Sequence, residues 1–170
     1  LALRVDPLSD AAERNRFFSR VVCGPGPQDC HLWVGAIGSA GYGRFAIRRG
    51  PYPHVVRTSR YAAAAALQGQ VLASSDLVLH MCDLPLCVRS ATAADIETGI
   101  RAHIILGTQS DNMRRMASMG RGGGRRAIFT RDAGVTARVA RSRALRDAVR
   151  GGWDDDAVQE ALLGQPDQYR

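Results

Sequence analysis

Cys82 and Cys87 have the spacing that most directly suggests chemistry. Four residues separate the two thiols and one of them is a proline, so a turn would bring both sulfurs to one side. Zinc takes four such ligands in a tetrahedron, whereas two chance cysteines in a turn would bind nothing. Cys30 and His103 supply the other two ligands of a predicted Cys3His zinc site. We expect Cys23 to stand apart from this site, although it is an alternative to Cys30.

His80 lies two residues before Cys82, at the end of a β-prone run. A zinc-bound turn that starts at Cys82 would hold this imidazole at the edge of the metal site. A neutral imidazole in a fixed position is the natural general base near neutral pH. We therefore predict that His80 accepts a proton, with a structural histidine as the alternative; His31 and His54 are interpreted as surface or strand residues.

The elements that must position these side chains are short. Apolar residues spaced between charges predict amphipathic helices, and β-prone runs around Gly-Ser-Ala-Gly predict a hairpin. Ser59 and Ser110 are the predicted N-caps of two helices. The predicted elements are a helix over residues 10–22, a hairpin over 31–47, a strand over 54–58, a helix over 59–68, strands over 77–80 and 103–106, and helices over 110–119, 135–150 and 154–163.

Composition indicates an anionic partner. All of the 23 Lys and Arg residues are arginine, the net charge is +7 and the pI is about 10.0. Residues 113–150 carry +9 of this charge, so the remainder is slightly acidic. Arginine grips phosphate with two parallel hydrogen bonds, which favours a nucleic acid, although GC-rich coding would also replace lysine by arginine.

The chain length of 170 residues predicts one domain with a short appendage. The longest apolar run has seven residues, which is far below the roughly 20 of a membrane-spanning helix. No signal-peptide pattern is seen, so we expect a cytoplasmic protein without a membrane partner. In a reducing compartment, the four cysteines are predicted to be metal ligands rather than disulfides.

Five motifs, taken in order, resemble a known family. They are CHLW at residues 30–33, GYGRF at 41–45, SRYA at 59–62, VLHMCDLPLCV at 78–88 and HIILGTQSDNM at 103–113. Together they are similar to the zinc-containing HNH endonucleases of phages and actinobacteria. The resemblance implies an α+β fold with a ββα-metal (HNH) core, a structural zinc site and a helical, Arg-rich C-terminal extension. Residues 1–119 would form the nuclease domain, and residues 120–170 a Gly-rich linker and a basic DNA-contacting tail.

The resemblance also implies roles for individual residues. His80 matches the general base, and Asn112 matches the position whose side chain binds a catalytic Mg²⁺ or Mn²⁺. The match places His103 with the three cysteines at the structural zinc. The chain departs from the family where Leu79 replaces a frequent Asp, where Ser59 replaces a frequent His, and where residues 89–102 lengthen the zinc loop.

The predicted function is hydrolysis of DNA phosphodiester bonds by a one-metal HNH mechanism, in a restriction or homing role. The alternative is a catalytically inactive, zinc-ordered DNA-binding module, and an RNA-directed nuclease is less favoured. Double-stranded DNA is the expected partner, with a homodimer if both strands are cut at a symmetric site. The predicted DNA-binding residues are Arg60, Arg114, Arg115, Arg121, Arg125, Arg126, Arg138 and Arg141.

Overall fold

Short strands pair into four separate antiparallel ribbons, between which helices pack. A computed structural model describes residues 1–118 and 126–163. The strands are β1 (Leu3–Arg4), β2 (Val21–Cys23), β3 (His31–Trp33), β4 (Arg44–Arg49), β5 (Tyr52–Arg57), β6 (Val71–Leu72), β7 (Leu77–His80) and β8 (Ile104–Gly107). The helices are α1 (Ala11–Phe18), α2 (Thr58–Ala66), α3 (Ala93–Glu97), α4 (Gln109–Ser118), α5 (Arg126–Val149) and α6 (Asp155–Leu163). The ribbons are β1–β6, β2–β3, β4–β5 and β7–β8, so the α+β class is confirmed.

Four aromatic rings from four elements form the centre of the core. Phe17 of α1 lies 5.1 Å from Trp33 of β3 and 4.5 Å from Tyr61 of α2, between ring centroids. Phe45 of β4 contacts all three rings at 4.8–5.7 Å. The consecutive alanines 62–65 of α2 are also buried, and their small side chains let the ribbons approach that helix closely.

Arg49 joins α1 to the end of β4. Its guanidinium donates to Asp10 Oδ1 at 2.5 Å and to Glu13 Oε1 at 2.8 Å, and the Tyr61 hydroxyl donates to the same Glu13 oxygen. Burial raises the pKa of the Asp10 carboxyl, but the hydrogen bond from Arg49 outweighs it together with a second bond from the Asp6 amide. The pKa of Asp10 is therefore lowered overall, so this carboxyl stabilises the fold in its charged form.

Helix α4 follows directly after the β7–β8 ribbon. His80 pairs with Ile104, Leu77 pairs with Gly107, and α4 begins two residues after Gly107. The Thr108 hydroxyl accepts from the Asp111 amide at 3.2 Å, while Asp111 accepts from the Thr108 amide at 2.8 Å. These reciprocal bonds form a capping box that fixes where α4 starts.

The C-terminal helices share the core of the preceding residues. Leu145 and Val149 of α5 and Val158 and Ala161 of α6 belong to the same buried cluster as Trp33. In the described residues, α5 and α6 therefore extend that core instead of building one of their own. None of the helices in the described ranges is long and apolar enough to cross a lipid bilayer.

Most predicted elements are confirmed, and the errors have local causes. The strand at 77–80, the strand following His103, and the helices at 58–66, 109–118 and 155–163 lie close to where the sequence predicted them. The helix predicted over 10–22 ends at Phe18, because the β-branched pair Val21–Val22 pairs with β3 instead. The hairpin predicted over 31–47 is confirmed only at its turn, where Ile37 and Gly43 form an isolated antiparallel bridge. The strands on either side pair elsewhere, β3 with β2 and β4 with β5.

The two serine caps are also wrong. Ser59 is 4% exposed inside α2, whose N-cap position is Arg57. Ser110 lies inside α4, where Thr108 provides the capping hydroxyl. In both cases the helix begins earlier than the serine.

Candidate metal centre

Three cysteines and one histidine converge on one point, as the sequence predicted. The ligand atoms of Cys30, Cys82, Cys87 and His103 all lie within 4.8 Å of one another. The Nδ1 atom of His103 is 3.2 Å from the Cys30 sulfur and 3.6 Å from the Cys87 sulfur. Cys23 is exposed and is not part of this cluster, so its predicted position apart from the site is confirmed.

The cluster has the dimensions of a tetrahedral zinc site. With Zn–S bonds of about 2.3 Å and Zn–N bonds of about 2.0–2.1 Å, tetrahedral angles require S···N separations of about 3.6 Å and S···S separations of about 3.8 Å. Of the two separations from His103 Nδ1 to a sulfur, the one to Cys87 equals the first value and the one to Cys30 is about 0.4 Å shorter. Three thiolates and one imidazole are also a donor set that selects zinc over Mg²⁺ or Ca²⁺. These residues could therefore hold a metal ion such as zinc.

Tight backbone bonds hold Cys82 and Cys87 in a closed turn. The Cys87 amide donates to Leu84 O at 3.0 Å, and Asp83 adopts a positive φ of 58°. The turn is docked on β3, because the Val88 amide donates to His31 O at 2.8 Å. Backbone pairing thus brings the turn close to Cys30, which directly precedes β3.

Arg89 connects three of the segments that carry ligands. This arginine is 6% exposed, and its guanidinium donates to the carbonyls of Pro27 and Asp29, which lead directly into Cys30. Its own carbonyl accepts from the amides of His103 at 3.0 Å and Ile104 at 2.9 Å. Because Arg89 also follows Cys87 by two residues, it positions ligands without touching the ion. This role of Arg89 was not predicted from the sequence, since an arginine that follows a cysteine turn has no distinctive spacing.

The electrostatics of the thiols favour a thiolate at the centre. Hydrogen bonds from Cys30 and Cys87 hold the pKa of the Cys82 thiol well below its ordinary value. The bond to Cys82 correspondingly raises the pKa of Cys30. Hydrogen bonds among the closely packed sulfurs therefore stabilise one thiolate, that of Cys82, at the point where a cation would bind.

His80 ends β7 beside this cluster. Both ring nitrogens, Nδ1 and Nε2, are buried, and neither makes a hydrogen bond of ordinary geometry among the described residues. The ring nevertheless lies close enough to Cys82 for a hydrogen bond from His80 to help lower the pKa of that thiol. The Tyr42 ring is its aromatic neighbour, with 6.1 Å between the two centroids.

Asn112 lies on α4, the helix that follows the β7–β8 ribbon. Its side-chain amide nitrogen lies 3.9 Å from the Met116 sulfur, and the residue is half-buried. Leu79, which stands where the resembling family often has Asp, is 8% exposed, and its Cδ1 would lie 2.6 Å from a Cβ placed on Gly107. This position therefore faces the start of α4 with a hydrocarbon side chain and offers no metal ligand.

The predicted DNA-binding arginines occupy different environments. The Arg60 guanidinium donates to the backbone carbonyls of Asp76 at 2.7 Å, Leu1 at 2.9 Å and Ala73 at 2.5 Å, so its donors hold loops together. Arg115 donates to Met81 O at 2.8 Å and to Asp83 at 3.3 Å, which fastens α4 to the cysteine turn.

The other predicted arginines lie at or near the surface, or belong to the part of the chain that the structure does not describe. Arg114 is exposed and lies 3.9 Å from Asp111, and Arg141 is half-buried on α5. Arg138 contacts the Tyr42 ring. Arg121 and Arg125 lie outside the described residues, as does the side chain of Arg126.

Comparison with known proteins gives no relative for this chain. No protein-family model matches it, no curated protein matches it, and no solved structure matches it.

Proposed function

We propose that the chain is a metal-dependent DNA endonuclease in which His80 is the general base. The observation that carries this proposal is the placement of the His80 imidazole at the end of a strand, beside a Cys3His cluster, in a strand–strand–helix unit whose helix bears Asn112. The order of these residues matches that of an HNH active site. The zinc-type cluster would have a structural role, holding the strand end and the helix in register.

The proposed reaction is an in-line attack of water on a backbone phosphorus. His80 takes the proton from the attacking water as the new phosphorus–oxygen bond forms. The bond to the 3′-oxygen breaks, and this leaving oxygen takes up a proton from solvent water. The products are a 3′-hydroxyl and a 5′-phosphate. For this role the ring must turn toward solvent from its covered position, which requires a side-chain rotation at the end of β7.

Asn112 would hold the catalytic divalent ion through its amide oxygen. When bound, a Mg²⁺ or Mn²⁺ ion supplies charge stabilisation to the phosphate and the leaving oxygen. Leu79 contributes no ligand, so one protein oxygen would be supplemented by water and by the substrate phosphate. Mg²⁺ commonly keeps several waters and binds with few protein ligands, so this donor set fits it.

Nicking of supercoiled plasmid DNA tests the proposal. The parent protein, loaded with zinc, is incubated with Mg²⁺ or Mn²⁺ and compared with His80→Ala. His54→Ala is the matched control, because His54 is a half-buried histidine on β5 outside the metal cluster. Nicking by the parent and by His54→Ala, with loss in His80→Ala, supports the assignment. Equal nicking by parent and His80→Ala refutes it.

A zinc-ordered DNA-binding module without catalysis is the second candidate. The observation that favours it is the buried hydrocarbon side chain of Leu79 at the position facing α4. This candidate predicts salt-dependent DNA binding and no metal-dependent nicking. The same plasmid assay, combined with a binding assay, separates the two functions.

A further inference from the structure

Two arginines are held against one aromatic ring close to His80. The Cζ atom of Arg57 lies 4.4 Å from the centroid of the Tyr42 ring, and that of Arg138 lies 5.6 Å from it. Arg138 is fixed further, because its Nε donates to Ala40 O at 2.8 Å. The same tyrosine ring lies 6.1 Å from the His80 ring. Two guanidinium groups from distant parts of the chain therefore converge beside the proposed general base.

The loop that precedes Tyr42 packs closely against α5 at Arg138. Gly41 has a φ of +81°, and a Cβ there would lie 3.1 Å from Arg138 Cγ and 3.2 Å from the backbone of Arg138. Such a close approach needs glycine both for the backbone conformation and for space. The position of Arg138 beside Tyr42 is thus built into the packing of loop and helix.

The positive charge around Tyr42 has no carboxylate counterion among the described side chains. Arg44 pairs directly with Arg57 across the β4–β5 ribbon, and like charges in such a position destabilise a sheet. Neither Arg44, Arg57 nor Arg138 forms an ion pair with a carboxylate within residues 1–118 and 134–163. An external anion would relieve this repulsion, and the planar fork of a guanidinium fits phosphate oxygens.

We propose that Arg57 and Arg138, held by Tyr42 and assisted by Arg44, bind a backbone phosphate of duplex DNA next to His80. The proposal rests on the proposed function for the identity of the anion as DNA. Arg57 and Arg44 are not among the DNA-binding residues predicted from the sequence. Arg138 is among them, and the proposal assigns to it one particular phosphate, the one next to His80. Tyr42 is a positioning residue, since its ring orients the two guanidinium groups.

Fluorescence anisotropy on a labelled duplex, at several salt concentrations and without Mg²⁺, tests this site. Each phosphate contact contributes a factor of about [salt] to the power −0.9, so losing one contact lowers the affinity about eightfold at about 0.1 M salt. We expect this loss in Arg57→Gln and in Arg138→Gln, with the slope of log K against log[salt] reduced by about 0.9 in each.

Arg143→Gln is the matched control. Arg143 is exposed on the same helix as Arg138, and five residues of helix place it about 140° around the axis. The Arg143→Gln substitution removes the same charge as Arg138→Gln. We expect it to leave the slope of log K against log[salt] unchanged. Tyr42→Phe, which keeps the ring, is expected to bind as the parent does, whereas Tyr42→Leu is expected to lose affinity.

The outcomes separate this proposal from the proposed function. Parent-like binding and salt slope in Arg57→Gln overturn the phosphate site, even if the parent nicks plasmid. Selective loss of DNA binding in both arginine variants supports the phosphate site, even if the parent never nicks plasmid. In that case only the endonuclease proposal fails. If Arg138→Gln fails to fold because its bond to Ala40 is lost, Arg57→Gln decides the question. The Arg57 side chain is exposed and has no hydrogen bond to lose among the described residues.

Discussion

Replacing Arg89 by alanine should weaken zinc binding although Arg89 is not a ligand. Its guanidinium donates to the carbonyls of Pro27 and Asp29, which position Cys30, and 6% of the residue is exposed. A hydrogen bond from a charged donor contributes about 1.5–3 kcal/mol, so losing two should lower the free energy of unfolding by about 3 kcal/mol or more. Groups that orient metal ligands typically contribute about 10–100-fold to metal affinity, and we expect about tenfold here.

Competition with a chromogenic zinc chelator measures the affinity, and urea unfolding of the zinc-loaded protein measures the stability. Arg101→Ala is the matched control, because Arg101 is an exposed arginine of the same zinc loop whose side chain makes no hydrogen bond among the described residues. A zinc affinity in Arg89→Ala equal to that of the parent would refute the idea that this buried arginine connects the ligand-bearing segments.

Three further predictions concern the metal, the core and the acid stability. Cys87→Ser should abolish stoichiometric zinc binding and unfold the surrounding core, as measured by metal analysis and circular dichroism; a folded, zinc-loaded variant would contradict this. Gly43→Ala should lower the free energy of unfolding by about 1–3 kcal/mol, because its Cβ would lie 2.3 Å from Thr58 Oγ1 and 2.8 Å from Trp33; parent-like urea unfolding would count against this packing. The pKa of Asp10 is lowered in the fold, so its stabilisation is present above the unfolded-state pKa of about 3.9 and is lost as the pH falls through the folded value. The stability difference between parent and Asp10→Asn should therefore be largest near neutral pH and shrink in acid, and a difference independent of pH would contradict the role of the Arg49 ion pair.

The ligands of the metal centre could be predicted from the sequence because residue type restricts them strongly. Few side chains bind zinc, and the spacing of Cys82 and Cys87 already implies a shared turn. The need for four ligands then favoured Cys30 and His103, with Cys23 as the alternative to Cys30. What holds these segments together could not be predicted, since Arg89 acts through backbone carbonyls that carry no sequence signal.

Strand pairing was predicted less well than strand position. The apolar run around Trp33 was correctly identified as extended, but its partner is β2, which lies inside a segment with a helical pattern. Local periodicity does not encode which neighbour a three-residue strand will find, because that choice depends on burial of Trp33 and Phe17 together. The arginines show the same limit: Arg57 and Arg138 are far apart in sequence, and only the fold brings both to Tyr42.

Single-turnover cleavage of an end-labelled DNA duplex with saturating Mn²⁺ tests the central claim most directly. A positioned general base typically contributes about 10²–10⁴-fold to the rate, so His80→Ala should cleave slower than the parent by that factor while retaining zinc and DNA affinity. The products of the parent should carry 3′-hydroxyl and 5′-phosphate ends. Equal rates for the parent and His80→Ala, or a zinc-loaded parent that binds duplex DNA and never cuts it, would contradict the account.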